Sequence, residues 1–414
     1  MNAIKYILKE LFAERTRVLM TILAIAWGTA AITIMLALGE GLRVTFGRSM
    51  RGIGEGVLRV RGGQTSKAFA GMPEGRNIPL TEQDLLTVKT TIPEVNLISG
   101  EYDTWRSMKY NDNWRSGRIG GVDPDFGEMR NIIPAPGGRF INPIDIKLRR
   151  RVIVMGPQVA KELFGEKTEP VGQYIDLDGR PFLVIGVMNK KYQTSSYGVP
   201  DRDGTWIPSS TYKTMYSPSR YSNWIVKPHN PEQMNQMKKH IRETLAQNHG
   251  ANPTDEEIVH FWDTKEMQEI SGNIFVGMQT LLGVIGGLTL IVAGVGIANV
   301  MYVSVSNATR DIGIRMAVGA RDYQILTQYI LEGLIATAIG GTIGLLGSQG
   351  LVSLVGLIPM EAEFFEFVGK PVPILSPIVA CIVVLVLGLI GFFAGLFPAR
   401  RAARVAPAEA LRYE

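Results

Sequence analysis

The sequence predicts an α-helical membrane protein with four transmembrane helices and a mixed α/β extracytoplasmic domain. The first observation is a set of four nearly uncharged apolar runs, at residues 18–38, 274–305, 333–358 and 375–397. Each run reaches the roughly 20 apolar residues that a helix needs to cross the hydrocarbon core of a bilayer. The second observation is their spacing. The later loops are short, whereas residues 39–273 have the balanced polar composition of a folded domain.

These runs predict how the chain is divided. We expect an amphipathic interfacial helix at 1–17, the first transmembrane helix (TM1) at 18–40, an extracytoplasmic domain at 41–272, TM2 at 273–306, a cytoplasmic loop at 307–324, TM3 at 325–358, a short outer loop at 359–374, TM4 at 375–397 and a cytoplasmic tail at 398–414.

The residues before TM1 have the pattern of a helix that lies in the membrane interface. Apolar side chains recur there at helical spacing, with charged residues on the other faces: Ile4, Ile7, Leu8, Leu11 and Phe12. A frayed terminal extension is the alternative. The apolar stretch of TM1 is too long for a signal peptide, and no clear A-x-A cleavage site follows it, so we interpret TM1 as an uncleaved anchor.

The orientation follows from Lys and Arg, which are retained on the cytoplasmic side of short segments. Basic residues precede TM1, lie between TM2 and TM3, and follow TM4: Lys5, Lys9, Arg15, Arg17, Arg310, Arg315, Arg321, Arg400, Arg401, Arg404 and Arg412. The loop after TM3 instead carries Glu361, Glu363 and Glu366 against Lys370. Both termini are therefore predicted to be cytoplasmic and the large domain to lie outside.

The extracytoplasmic domain shows a weak internal repeat. Two β-α-β units are expected, with elements at 56–61, 81–91 and 95–99 in the first and at 221–227, 230–248 and 258–262 in the second. Thr81 is the expected N-cap of the first helix, with Asp84 three residues later. The units define lobes at 41–99 and 221–270, which place their membrane-proximal strands side by side, and a strand-rich inserted lobe at 100–220.

Composition and motifs argue against several kinds of function. The net charge of +5 is spread along the chain, so we expect no nucleic-acid partner. The sequence has no G-x-x-x-x-G-K-[ST] phosphate loop and no defensible nucleophile and base, so an enzyme is not predicted. Its single cysteine, Cys381, falls in TM4. No cofactor is expected to bind this chain directly.

Metal sites are not predicted either. The four histidines, His229, His240, His249 and His260, match no zinc spacing, and we expect them to be exposed to solvent. The sequence DRDG at 201–204 lacks the remaining ligands of a calcium loop, so it is interpreted as a polar turn.

Small residues and one acid stand out within the apolar runs. Small pairs at four-residue spacing permit close helix packing, either within one bundle or between protomers: Gly283 with Gly287, Gly294 with Ala298, Gly340 with Gly344 and Gly391 with Gly395. Glu332 lies at the cytoplasmic start of the third run, where it serves either as an interfacial anchor or in a proton relay. The second run would extend about 48 Å as a helix, beyond a core of about 30 Å.

The stretch TRDIGIRMAVGAR at 309–321 is the most distinctive short segment, because its apolar residues are too exposed for a simple hairpin. Together with FPARRAAR at 397–404 and PAEALR at 407–412, it strongly resembles the MacB-type, FtsX-like permeases of ATP-binding cassette (ABC) systems. The resemblance extends through nearly the whole chain and includes GRF at 138–140. Relatives often carry glutamate where this chain has Asp311.

The resemblance implies a dimeric permease of the bacterial inner membrane, with porter-like β-α-β lobes and an inserted lobe in the periplasm. A separate cassette ATPase, which binds Mg-ATP, would seat on a coupling helix formed by Arg310, Asp311, Ile312, Gly313, Ile314, Arg315, Met316, Gly319, Ala320 and Arg321. The cytoplasmic tail would contribute Pro398, Arg400, Arg401, Pro407 and Leu411. The ATPase domain fused to macrolide exporters is not expected in this chain, since TM1 begins near residue 18.

The resemblance leaves two classes of function open. ATP-driven motion would be transmitted to the periplasmic domain, a scheme called mechanotransmission, to export or extract a hydrophobic or amphipathic substrate; lipoprotein release is a close variant. Partners would then include membrane lipid, a second identical or paralogous protomer, a periplasmic adaptor and an outer-membrane channel. The alternative is an FtsX-like activator of a cell-wall hydrolase, or a signalling scaffold, that transports nothing.

Overall fold

The computed structural model describes residues 15–193, 196–357, 365, 369–370 and 372–402. Two compact units make up these residues: a helical unit of 15–45, 272–357 and 370–402, and an α/β unit of 46–271. The predicted interfacial helix, most of the outer loop and the tail beyond residue 402 lie outside the described residues.

Four long helices dominate the helical unit, and each is long and apolar enough to span a membrane. They are α1 (Arg15–Arg51), α8 (Thr264–Asn307), α10 (Asp322–Leu357) and α11 (Pro377–Ala402), with the short α9 (Thr309–Ala317) between α8 and α10. Their shared core includes Ile25 of α1, Leu290 and Ile297 of α8, and Val383 and Leu387 of α11.

The helices run past the apolar runs that predicted them. The helix α8 begins at Thr264 rather than near residue 273, because Asp263 caps it: the Asp263 Oδ1 atom accepts the backbone N–H of Lys265 at 2.8 Å. The last helix, α11, extends past the predicted end of its apolar run at residue 397 and continues through Pro398 to Ala402. An apolar run indicates only the apolar segment of a helix. Polar residues with good helix propensity, and the capping residues, decide where the whole helix begins and ends.

The α/β unit is built around nine strands and six helices. The strands are β1 (Leu58–Gly62), β2 (Val95–Tyr110), β3 (Asn113–Val122), β4 (Val152–Met155), β5 (Tyr174–Leu177), β6 (Arg180–Val187), β7 (Thr205–Pro208), β8 (Asn223–Pro228) and β9 (Val259–Asp263). The helices are α2 (Glu82–Thr91), α3 (Asp125–Met129), α4 (Pro143–Lys147), α5 (Pro157–Phe164), α6 (Ser209–Tyr216) and α7 (Met234–Asn248).

One part of the sheet is a four-stranded layer in the order β9-β1-β8-β2, with every neighbouring pair antiparallel. The units β1-α2-β2 and β8-α7-β9 interleave in this layer, which is the split β-α-β arrangement of ferredoxin-like folds. The predicted pairing of the membrane-proximal strands is confirmed, since Leu58 of β1 faces Asp263 of β9 and Gly62 faces Val259.

The segment between β2 and β8 forms a closed ring of strands. Its order is β3-β7-β4-β6-β5-β2, and β2 pairs again with β3. The strand β2 is much longer than the 95–99 strand that the sequence predicts. Its first part pairs with β8, and its second part pairs with β3 and β5. The sequence did not predict the second part because charged residues after Gly100 interrupt the apolar pattern.

The predicted cap of α2 is confirmed. Thr81 Oγ1 accepts the backbone N–H of Asp84 at 3.2 Å, and the Asp84 carboxylate accepts the backbone N–H of Thr81 at 3.0 Å. The carboxylate is buried and also contacts His249 Nε2 at 2.9 Å and Asn248 Nδ2 at 2.7 Å. This cap therefore also joins α2 to the end of α7.

Candidate functional site

The predicted coupling segment folds as the short helix α9 (Thr309–Ala317). It follows α8 after Ala308 and ends at Val318, after which Gly319 has φ of +106°. That left-handed conformation favours glycine. The next helix starts at Asp322, and the backbone N–H of Arg321 donates to Gln324 Oε1 at 3.0 Å.

The two faces of α9 have different surroundings. Ile312 is 3% exposed and packs into the core of the helical unit, and Gly313 is also buried. On the other face, Ile314 is 44% exposed and Val318, just beyond the helix, is 85% exposed. One face of α9 is thus anchored while the other presents apolar side chains outward.

Charged residues of the segment divide in the same way. Arg310, Asp311 and Arg321 are exposed. Arg315 is only half-exposed, and its Nη1 atom donates to Gln328 Oε1 of α10 at 3.0 Å. This hydrogen bond links α9 to α10, and the predicted contact of Arg315 with an ATPase stays a prediction. Met316 and Ala320 pack against the helical core.

Five of the seven glycines in the predicted small-residue pairs lie at close contacts inside the helical unit. A Cβ atom added at Gly344 would lie 2.5 Å from the backbone oxygen of Ala26 in α1, and one at Gly395 would lie 2.8 Å from that of Tyr329 in α10. Gly340 similarly meets α1 and Gly391 meets α10. A Cβ at Gly283 or Gly287 would meet no atom within 4 Å in the described chain.

The remaining predicted positions are the intramembrane acid, the Gly294 and Ala298 pair, and the tail residues, only some of which the structure describes. The side chain of Glu332 is buried in the helical unit, at 5% exposure. Gly294 faces Ile390 of α11, and Ala298 packs against the helical core. Pro398 lies inside α11 and Arg400 is exposed. The side chain of Arg401 is outside the described set, as are Pro407 and Leu411.

A buried charge cluster in the α/β unit was missed from the sequence. The carboxylate of Asp201 accepts from Arg130 Nη2 at 2.7 Å and lies 2.8 Å from Lys191 Nζ. Nearby, Arg118 Nη2 lies 2.9 Å from Glu101 Oε1. The predicted polar turn at 201–204 is present as a single 3-10 turn over Asp201–Asp203. The sequence did not indicate that the Asp201 side chain, at 5% exposure, anchors the cluster.

Tyr197 lies at the centre of this cluster. The guanidinium carbons of Arg59, Arg130 and Arg118 lie 4.4, 4.7 and 5.6 Å from the centre of its ring. Such cation–π contacts strengthen when water is excluded. Burial raises the pKa of the Tyr197 phenol well above its ordinary value, so its hydroxyl remains a neutral donor.

Electrostatics inside the cluster favour the ionised form of Asp201 beside the charged Arg130 and Lys191. Burial acts to raise the pKa of the Asp201 carboxyl, but the charges of Arg130 and Lys191 outweigh it and hold that pKa below its ordinary value. Burial also lowers the pKa of Lys191. The carboxylate is the group that compensates both buried cations.

The expectation of four exposed histidines is wrong for two of them. His240 Nδ1 contacts Glu94 Oε2 at 3.1 Å, and His249 contacts Asp84 in the α2 cap. His229 and His260 are exposed. Within the described part of the chain, no three His, Cys, Asp or Glu side chains are grouped closely enough to hold a metal ion.

Comparison with known families covers both units. Residues 18–244 match the model of the MacB-like periplasmic core domain, and residues 283–407 match the FtsX-like permease C-terminal model. The first match alone spans more than half of the 414 residues. The chain belongs to the MacB-type, FtsX-like permease family of ABC transporters. It is a four-helix permease with an α/β domain of the MacB periplasmic type.

Two relatives illustrate how far the similarity extends. The permease is 31% identical to the macrolide export ATP-binding/permease protein MacB of Chlorobium luteolum over 98% of its own length, but it spans only 59% of that relative. It is 28% identical to the uncharacterized ABC transporter permease YknZ of Bacillus subtilis, over 99% of this chain and 98% of the relative.

A solved structure is similar to part of the permease. The periplasmic region of MacB from Actinobacillus actinomycetemcomitans is 17% identical, with a TM-score of 0.43. The match covers 54% of this chain and 96% of that one.

Proposed function

We propose that this permease is the membrane subunit of a bacterial inner-membrane ABC transporter, and that a separate cassette ATPase binds the outward face of α9. The observation that carries the proposal is the exposure of Ile314 and Val318 beside a buried anchor at Ile312. Exposed apolar side chains grouped on a short polar-flanked segment mark a surface that a partner covers. The partner, rather than this chain, would bind and hydrolyse Mg-ATP.

The anchoring of α9 suggests how motion at the ATPase reaches the other helices. Ile312 packs with the core of the helical unit, and Arg315 is hydrogen-bonded to Gln328 of α10. A displacement of α9 would therefore move α8 and α10 with it. The helix α8 has 44 residues, or about 66 Å, and continues without a break into the α/β unit.

The proposed orientation has both termini in the cytoplasm and the α/β unit in the periplasm. It is supported by the basic residues around α9 and by the match of residues 18–244 to a periplasmic core domain. In this arrangement ATP-driven closure would act by mechanotransmission, moving the periplasmic domains against substrate that is already outside the inner leaflet.

The substrate class that we propose is a hydrophobic or amphipathic molecule that is exported or extracted. Relatives named for macrolide export and pyoverdine export support export as the activity. Two permease protomers, an adaptor, an outer-membrane channel and surrounding lipid complete the proposed assembly. Activation of a cell-wall hydrolase is the competing outcome of the test below.

The first test is co-purification of the tagged permease with its ATPase from native cells. We expect a cassette ATPase at equal stoichiometry, and we expect Val318→Asp or Ile314→Asp to reduce its recovery by about tenfold, because each places a carboxylate in an apolar contact. Val318→Ile is the matched control and should retain the ATPase. If the Asp variants recover as much ATPase as the control, α9 is not the docking helix.

A second readout separates transport from hydrolase activation. A deletion strain should accumulate the exported compound or show mislocalised lipoproteins, and Val318→Asp should reproduce that phenotype. Chaining of cells or altered peptidoglycan turnover, with export intact, would replace the transport proposal by the activator function.

A further inference from the structure

A cavity of about 710 Å³ opens in the α/β unit beside the buried charge cluster. It lies over the strands β1, β2, β3 and β8, and its charged lining consists of Arg59, Arg61, Arg118, Arg220 and Asp103. Four cations and one carboxylate give this lining an excess of positive charge. The question is whether the protein itself neutralises that excess.

Among the residues that the structure describes, Arg118 is the one arginine of the lining that pairs with carboxylates. Arg118 lies 2.9 Å from Glu101 and 3.4 Å from Asp103, so the single acid of the lining is already engaged. Arg59 is half-buried, and its Nε atom donates to the neutral Asn223 Oδ1 at 2.9 Å, with no carboxylate of the described chain within ion-pair distance. A half-buried charge without a counter-ion is uncommon in a folded protein.

The remaining two arginines lie at the exposed rim of the cavity. Arg61 extends from β1 and Arg220 precedes β8, and both are exposed. Neither forms an ion pair with a residue that the structure describes. Three guanidinium groups, on Arg59, Arg61 and Arg220, are thus available to an anion that enters the cavity.

Aromatic rings form another wall. Tyr102 stacks on Tyr221 with ring centres 4.4 Å apart and on Tyr212 at 5.4 Å. Two glycines make room for these rings, since a Cβ atom at Gly100 would lie 2.1 Å from the Tyr221 ring and one at Gly121 would lie 2.5 Å from Tyr212. The wall is therefore held rigidly against the sheet.

We propose that this cavity binds a small molecule that bears a carboxylate or phosphate group. Guanidinium groups match the planar oxygen pairs of carboxylates and phosphates, and Arg59, Arg61 and Arg220 supply three of them in the lining. The proposal does not rest on the transport function, because the site lies wholly within the α/β unit and needs no ATPase.

The test measures binding to the full permease in nanodiscs of phosphatidylcholine, a lipid without net charge. Phenyl phosphate and benzoate are the anionic probes, and benzamide is the neutral control of similar shape. Calorimetry and ligand-detected NMR should show saturable binding of at least one anion and none of benzamide. The tighter of the two anions identifies which anionic group the site takes. Absence of binding by both anions, or equal binding of benzamide, would overturn the proposal.

Substitutions then locate the binding. Arg220→Gln, at the exposed rim where it does not threaten folding, and Arg59→Gln should each weaken the anion by about tenfold, the loss of one charge-assisted contact. Arg151→Gln removes an exposed arginine outside the cavity and should leave affinity unchanged. Anion binding that falls equally in all three variants would show a general charge effect and refute the site.

Discussion

Apolar side chains are usually buried and charged side chains usually exposed. The α9 helix breaks the first rule, and the charge cluster around Tyr197 breaks the second. On α9, apolar side chains point outward, with Val318 at 85% exposure. In the cluster, the charged side chains of Arg130 and Asp201 are 3% and 5% exposed. An exposed apolar group is explained by a second surface that covers it, whereas a buried charge is explained by the counter-charge that it touches. The exposed face of α9 is the surface that the proposed function assigns to a partner, whereas the charges of the cluster are paired within the α/β unit itself.

The largest expected effect comes from removing the central carboxylate of the cluster. Asp201→Ala leaves Arg130 and Lys191 buried without their counter-ion, and we expect it to lower the free energy of unfolding of the α/β unit by about 3–5 kcal/mol. Thermal unfolding of the purified permease, followed by tryptophan fluorescence, measures this.

The matched control is an exposed ion pair. Glu166→Gln breaks a pair with Lys161 in which the two side chains are 78% and 60% exposed. Its effect should stay within about 0.5 kcal/mol. Equal shifts for the two variants would contradict the structural role of the cluster.

The second prediction concerns the helical unit. Gly344→Ala places a Cβ 2.5 Å from the backbone oxygen of Ala26, so α1 and α10 must separate, at an expected cost of about 1–3 kcal/mol. Gly347→Ala, on the same helix with no atom within 4 Å, should be neutral. Both are measured by the midpoint of thermal unfolding in detergent, and a neutral Gly344→Ala would show that this contact is loose.

Gly287 offers a sharper version of the same comparison. Because its Cβ position is open in the described chain, Gly287→Ala should leave the protomer stable. Loss of the proposed dimer, measured by size-exclusion chromatography with light scattering on both proteins, would assign this glycine to packing between protomers. A dimer that is unchanged would leave it with no packing role.

Some features were predictable because their causes are local. Four apolar runs sufficed to predict four spanning helices, and the Thr81 and Asp84 spacing predicted a cap. The cluster was not predictable, since Arg130 follows α3 while Asp201 lies in a turn 71 residues later, and only the tertiary fold brings them together. A polar turn and a buried anchor look alike in sequence, and the exposure that distinguishes Arg315 from Ile314 depends on how α9 rests on α10.

The third prediction is a pH dependence in the cap of α2. Burial acts to raise the pKa of Asp84, but hydrogen bonds from His249, Thr81 and Asn248 outweigh it and lower that pKa to about 2. A depressed carboxyl pKa stabilises the folded state above the ordinary pKa, and that stability is lost as the pH falls towards the folded-state value. The melting temperature should therefore fall between about pH 4 and pH 2.

Asp84→Asn tests this dependence. It should cost about 1–2 kcal/mol at neutral pH, where the carboxylate cap is lost, and it should flatten the acid limb of the stability profile. An acid limb as steep as that of the unmodified permease would show that another carboxyl causes it.

The smallest expected effect is at the hydrogen bond between α9 and α10. Gln328→Leu removes the acceptor of Arg315 and should weaken coupling by about 0.5–1.5 kcal/mol, a few-fold loss of permease-stimulated ATP hydrolysis. ATPase recovery should be retained, unlike in Val318→Asp. Loss of recovery in Gln328→Leu would place this pair in the docking surface itself.

The length of β2 has a mechanical consequence. This single strand of 16 residues is the edge strand of the four-stranded layer over its first part and one strand of the closed ring over its second part. A strand cannot be sheared at one end without loading the hydrogen bonds at the other, because its backbone is nearly inextensible. Layer and ring are therefore joined along the axis of one continuous strand, so a pull on β2 from the β8 side reaches the hydrogen bonds of the closed ring.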